Sequence, residues 1–342
     1  MSFLLPAGLT TRYHQPWCGN VAVLSPGAVP TIDFYLTPRL AELGPERLKL
    51  FDSRVLDATA DSLPVGTMVI IVRHASRRWL RFLAAHADRW CGVAWLVDDD
   101  IPAAWRCKEL PLDYRLRTSG RFLRVARDLL SVCDRVWVST NELQKRYAQW
   151  NPLVLPPLNA FPPRHAAPSG VRRWCYHGTR AHRAEFNWLR PVVRQVQHQV
   201  PDAEFEIMGG TNVRRLFAGI PRVNVLPPRS WQDYVAHCEN SNIAVGLAPL
   251  LPGYFNAARA HVKIFDIVHA GAVGVFSRRA PYFPNLAAAG AVFVDDDQHA
   301  WSEHIAKLLL DDKRRLTHFA RSTDWIKQQH PAQSLLELIN SK

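Results

Sequence analysis

Between residues 253 and 277 the chain reads GYFNAARAHVKIFDIVHAGAVGVFS, and the charged residues in it have a usable spacing. Arg259, Lys263 and Asp266 fall at i, i+4 and i+7, one face of a helix, and Asn256, after an apolar run and a Pro-Gly break, stands where a helix would start. A helix start flanked by two cations suits a diphosphate, because unpaired N–H groups and the positive dipole end point at the ligand. Asp266, two turns down, is placed to accept hydrogen bonds from a ribose diol. The plain alternative is a surface helix carrying a basic pair and a salt bridge. A second cluster, Asp98, Asp99 and Asp100, ends the apolar run GVAWLV. Three adjacent like charges repel one another, which asks for a reason. An acceptor-hydroxyl contact, a general base and a metal site are the functional readings; a helix N-cap and a solvated loop are the structural ones. His74 follows VIIVR directly, placed either for acceptor binding and proton transfer or as an ordinary strand-end histidine.

These residues need elements to hold them. From Val65 onward short apolar runs alternate with amphipathic stretches, the signature of βαβ units and a parallel sheet. Strands are expected at 67–72, 92–97, 134–139 and 152–158, with helices at 76–90, 119–133 and 141–150. Thr140 and Glu142 supply an N-cap and a first-turn carboxylate for the last of these helices. The stretch at 159–173, dense in Pro, Ala and Arg and without period, reads as a linker. The pattern then restarts, with strands at 173–178, 203–210, 222–227, 242–250, 272–277 and 291–296 and helices at 184–200, 230–241, 258–271 and from 298 on. The expected fold class is α/β with two facing Rossmann-like domains and a cleft between them: residues 1–164, residues 165–325, and a terminal helix at 326–342 that crosses back to the first domain. In such open sheets ligands bind beyond the carboxyl ends of the strands.

At 342 residues the chain has room for two such domains. With 48% hydrophobic residues and twelve Trp it is packed rather than disordered. No apolar run reaches the ~20 residues of a spanning helix, and the start lacks a basic leader and a cleavage site, so a cytoplasmic protein, soluble or peripheral at the inner membrane face, is expected. Six scattered cysteines without metal-like spacing read as reduced thiols. The formal charge of +12 favours an anionic partner. That charge is spread over both halves, which argues against a dedicated nucleic-acid module. Arg115, Arg117, Arg121 and Arg124 lie on or beside one expected helix, as a solvated face, a contact with an anionic membrane, or a site for an anionic glycan.

The segment 253–277 resembles the nucleotide-sugar binding segment of retaining GT-B glycosyltransferases of the group that includes family four. There a basic residue, a short gap and an acidic residue precede a helix end and a strand. The resemblance places Lys263 and Asp266 in those roles, with Asp266 on the donor ribose. Where many members carry two glutamates eight residues apart, this chain has Ala258 and Asp266. WCYHGTRAHRAEF resembles the opening strand and loop of the donor domain. Gly178 would permit close backbone approach, Thr179 would donate a hydroxyl, and Arg180 or His182 would compensate phosphate charge. The resemblance covers 173–297 well and the first half only through architecture and the VSTNEL segment. It implies transfer of a sugar from a nucleotide-sugar donor to a hydroxyl of a glycan or lipid-linked glycan, with Asp98, Asp100 or His74 handling the acceptor, no cofactor, and no metal. Cell-surface polysaccharide synthesis is the setting it suggests. A sugar-nucleotide epimerase of the same fold and a non-catalytic binding protein remain the alternatives.

Overall fold

A computed structural model describes residues 8–9, 13–162, 164–178, 182–331 and 334–340. The chain forms two compact units. The first takes the residues up to Arg106, Arg115–Ala160 and those from Pro331; the second takes Cys107–Tyr114 and Phe161–His330.

The first unit is built on a six-stranded parallel sheet of β1 (Val21–Ser25), β2 (Leu48–Asp52), β3 (Thr67–Val72), β4 (Trp90–Val97), β5 (Arg135–Val138) and β6 (Leu153–Val154), in the order β2-β1-β3-β4-β5-β6. β1, β3, β4 and β5 are buried at every residue, as parallel strands covered on both faces must be, and so they read as mainly apolar runs, with polar residues only at their ends. Trp79, Trp90, Trp95 and Trp137 are fully buried around them. The expectation began the βα pattern at Val65 and so passed over β1 and β2. β2 is a half-exposed edge strand, LKLFD, without strong alternation. Thr140 caps its helix as expected, its Oγ1 accepting from the Leu143 N–H at 3.2 Å. The helix expected at 119–133 begins earlier, at Leu112, and runs to Val132. Near the chain end the helix Leu335–Asn340 buries Leu338 and Ile339, and the Arg135 guanidinium donates to the Ile339 carbonyl.

The second unit carries β7 (Arg173–Tyr176), β8 (Glu204–Met208), β9 (Val223–Leu226), β10 (Val245–Ala248), β11 (Val273–Ser277) and β12 (Val292–Val294), all parallel, in the order β12-β11-β10-β7-β8-β9. From β7 the chain winds outward through β8 and β9, then returns to the other side of β7 for β10, β11 and β12. That reversal puts the topological switch point between β7 and β10, where open α/β sheets bind ligands beyond their strand ends. A short helix, Thr211–Leu216, joins β8 to β9 and was absent from the expectation. All six cysteines are free thiols, five of them buried. Among the described residues no helix is long and apolar enough to cross a membrane.

One expected element is corrected. Asn256 does not start the helix that carries Lys263 and Asp266. Asn256–Ala258 is a single 3-10 turn, Arg259 is extended (φ −69°, ψ 140°), and the α-helix runs only from Lys263 to His269. The Asn256 amide is spent elsewhere, donating to Glu185 Oε1 at 3.2 Å and to the Leu251 carbonyl at 2.9 Å. The extended stretch lets Arg259 lie over the Phe255 ring, 4.8 Å from its centre, and buries His261 among Phe265, Tyr282 and Trp325. Arg259 therefore does not share a helix face with Lys263 and Asp266. The helix stops where Gly271 takes a left-handed φ of +79°, a conformation that spares glycine the usual Cβ penalty.

Candidate functional site

A small pocket opens at the switch point of the second unit, lined by Cys175 of β7, His177 just past it, Leu247 of β10, Tyr234, Lys263 and Asp266. Its polar wall is made by one helix turn. The Lys263 ammonium donates to Asp266 Oδ2 at 2.9 Å and to the His177 carbonyl at 2.9 Å, tying the helix to the end of β7. Asp266 is 6% exposed, and its other oxygen, Oδ1, has no hydrogen-bond partner. A buried carboxylate oxygen without a donor costs free energy unless a ligand or water supplies one. The Lys263 ammonium also lies 6.0 Å from the centre of the Tyr234 ring, which stacks on Trp231 at 5.5 Å and meets His177 edge-on at 5.5 Å.

Beside this pocket lies a second polar group from the expected set. His182 is half-buried, with Nδ1 3.8 Å from Glu185 Oε2, and Glu185 holds Asn256. Burial lowers the His182 pKa, opposed by Glu185 and reinforced by the Arg259 charge nearby. Burial alone would raise the Glu185 carboxyl, yet His182 and Asn256 hold it below its usual value. The structure thus gathers His182 and Asn256 around Glu185, with the Arg259 charge acting on His182, and Lys263 and Asp266 around the pocket. Gly178 follows His177, and a Cβ there would meet the Tyr176 ring at 2.8 Å, so glycine is already required by packing within the chain. Thr179 and Arg180 lie outside the described residues.

Two residues the sequence reading did not single out join this region. Glu206, in the middle of β8, accepts from His177 Nε2 at 2.8 Å and from His237 Nε2 at 2.7 Å on a single oxygen, Oε1. Burial pushes the Glu206 carboxyl up, but the two imidazole donors outweigh it and bring its pKa to about 2. Burial lowers the His177 pKa against the pull of Glu206. The trio His177, Glu206 and His237 is a group whose ligand atoms, all within 4.8 Å of one another, could hold a metal ion. A glutamate inside the apolar strand EFEIM was the one signal available from the sequence.

In the first unit Asp98 and Asp100 have separate duties. Asp98 ends β4 and is gripped by Arg73, Nε to Oδ1 at 2.8 Å and Nη2 to Oδ2 at 2.5 Å, with the Thr31 hydroxyl on Oδ2 at 2.6 Å. Burial would raise its pKa, yet the Arg73 guanidinium holds it below the ordinary value. Asp100 takes Arg146 on Oδ2 at 2.5 Å and the Tyr147 hydroxyl on Oδ1, which also caps a 3-10 turn by accepting from the Ala103 N–H at 3.3 Å. Like-charge repulsion is thereby relieved by two different arginines. Arg73 sits at the end of β3 with a left-handed φ of +63°, kept there by its N–H to Leu96, its carbonyl under the Trp95 indole, and its ion pair. His74 comes next and is half-buried. Burial lowers its pKa, helped by the charges of Arg121 and Arg73.

No protein-family model and no curated protein sequence matches the chain. Among solved structures, a variant of S. aureus TarM in complex with Fondaparinux, alpha-GlcNAc-glycerol and UDP is similar with a TM-score of 0.55 at 10% identity, over 81% of this chain and 56% of that one. Another structure of TarM matches with a TM-score of 0.54 at 11% identity, over 81% of this chain and 55% of that one. The chain spans little more than half the length of these neighbours. At such identities the likeness carries the fold, and that fold is GT-B: two α/β units, each on its own parallel sheet.

Proposed function

We propose that the chain is a glycosyltransferase that moves a sugar from a nucleoside-diphosphate donor to an acceptor hydroxyl, with the nucleotide held by the second unit at the pocket between β7 and β10. The observation that carries this reading is Asp266. One of its oxygens is occupied by Lys263, and the other is buried at the pocket wall without a donor, which is what a ribose hydroxyl would supply. Support comes from the position of the pocket at the switch point of a Rossmann-ordered sheet, and from the GT-B neighbour TarM, which binds UDP.

In the transfer the bond from the sugar carbon to the diphosphate oxygen breaks and its electron pair stays on the phosphate. The acceptor oxygen bonds to that carbon and gives up its proton. Lys263 and Arg259, with Arg180, stabilise the charge growing on the phosphate, the contribution that preorganised cations make best in a site shielded from water. His74, kept neutral near pH 7 by burial and its arginine neighbours, is the group suited to take the acceptor proton. Asp98, committed to Arg73, positions the strand end that carries His74, and Asp100 is committed to Arg146, so neither is the group that takes the proton. The acceptor is a glycan or lipid-linked glycan in this reading. The helix Leu112–Val132 supplies a surface for an anionic membrane, with exposed Leu116 and Leu123 beside exposed Arg117, Arg121 and Arg124.

The test is a thermal-shift panel with UDP, GDP, ADP and CMP, UDP being the first to try. A nucleotide-selective rise in melting temperature that Asp266→Asn removes supports the donor site. Absence of any nucleotide-selective shift, or an undiminished shift in the variant, overturns it.

A further inference from the structure

We infer that His177, Glu206 and His237 bind one divalent transition-metal ion of the zinc class. The three donors come from three elements, the end of β7, the middle of β8 and the helix Trp231–Asn240, so their convergence is a property of the fold. Both Nε2 atoms point at the same carboxylate oxygen, at 2.8 and 2.7 Å, and all three ligand atoms lie within 4.8 Å of one another. Two imidazoles and one carboxylate form the mixed nitrogen and oxygen set that zinc takes in open, three-ligand sites, whereas magnesium and calcium want oxygen alone. Zinc holds such ligands at roughly 2.0–2.2 Å, so neighbouring ligand atoms of a tetrahedron stand about 3.3–3.5 Å apart. Opening each His–Glu separation by about half an ångström admits the ion, and His237, with its side chain 18% exposed, has room to give.

The protonation balance is simple. In the hydrogen-bonded trio each ring presents an Nε2 hydrogen to Glu206 Oε1. A metal-bound imidazole carries its ring proton on Nδ1 and turns the Nε2 lone pair to the ion. The Glu206 carboxylate exchanges two hydrogen bonds for one metal bond. Lys263 is paired with Asp266 at 2.9 Å and donates to the backbone carbonyl of His177. Three protein ligands leave one position of the tetrahedron for water or another ligand.

This inference does not rest on the donor reading, and its test uses no nucleotide. The chain, stripped with a chelator and dialysed, is titrated with Co²⁺ while its visible absorption is followed, and a second stripped sample is loaded with Zn²⁺, freed of excess metal, and its bound Zn²⁺ measured by mass spectrometry of the metal. The expected result is one equivalent per chain, with a tetrahedral cobalt spectrum and no thiolate charge-transfer band. His237→Ala and Glu206→Gln should each weaken the affinity by more than about 10-fold, since even loss of an outer-shell partner costs that much. His237 lies on a partly exposed helix, so its variant is expected to fold, and Zn²⁺ should raise the melting temperature of the unaltered chain and not that of His237→Ala. A thiolate band, no stoichiometric binding, or an affinity in either variant unchanged from that of the unaltered chain would overturn the assignment.

Discussion

Asp266 offers the sharpest perturbation of the proposed donor site. Asp266→Asn keeps the shape and replaces a charged acceptor with a neutral one. Hydrogen bonds to charged groups contribute about 1.5–3 kcal/mol, which corresponds to a roughly 10- to 150-fold rise in Kd for the ribonucleotide. Two effects mix in that number. Asp266 also holds the Lys263 ammonium, whose side chain is 30% exposed, so the substitution loosens a cation as well as removing the acceptor. A 2′,3′-dideoxy nucleotide separates them, because it lacks the hydroxyls that Oδ1 would accept from while keeping the phosphates that Lys263 would meet. Isothermal titration of both proteins with both ligands completes a cycle whose coupling term belongs to the diol alone. The expected result is a large loss for the ribonucleotide and a much smaller one for the dideoxy form. Equal losses for the two ligands would refute the diol contact and leave Asp266 as nothing more than the partner of Lys263.

His261 should make stability depend on pH. Burial among aromatic rings lowers its pKa from 6.5 to about 4, so between those values the unfolded chain binds the proton and the folded chain does not. Stability is therefore full above pH 6.5 and falls by about 3 kcal/mol as pH drops to 4. Urea unfolding at pH 7 and pH 4 should show that part of the loss vanish in His261→Phe, whereas an identical loss in both proteins would show that His261 is not the group. Breaking the buried pair of the first unit, by Asp98→Asn, should cost about 3–5 kcal/mol and lower the melting temperature, because it leaves Arg73 unneutralised in a strained turn. A variant as stable as the parent would place Asp98 outside the structural frame. Co-sedimentation with vesicles containing anionic lipid should retain the chain at low salt, and Leu116→Ser with Arg121→Glu should release it; retention of the double variant would move the contact elsewhere.

Much of the fold was legible because local rules write it. β3 and β4 are apolar runs of the length that a strand buried on both faces must have, and Thr140 announces its helix by capping it. β1 and β2 escaped for a physical reason: VAVLS is a short run ahead of a Pro and Gly turn, and LKLFD lies at a sheet edge where one side needs no apolar residues. The misplaced helix start at Asn256 has a similar origin. Residue type allowed a cap, but the chain makes only a 3-10 turn at Asn256 and then runs extended through Arg259, so no helix follows for it to cap.

From the sequence alone followed the class of the molecule, two parallel α/β units, and the pairing of Lys263 with Asp266 on one segment, which is the basis of the proposed nucleotide site. Hydrophobic period and chain punctuation are local quantities, readable over ten or fifteen residues. What the tertiary structure decided was which charges meet. Asp98 finds Arg73 25 positions away, Asp100 finds Arg146 46 away, and Glu206 gathers His177 and His237 from 29 and 31 away. A side chain's period tells which face it occupies, but only the strand order tells what stands opposite, and that order is set by the packing of the whole sheet.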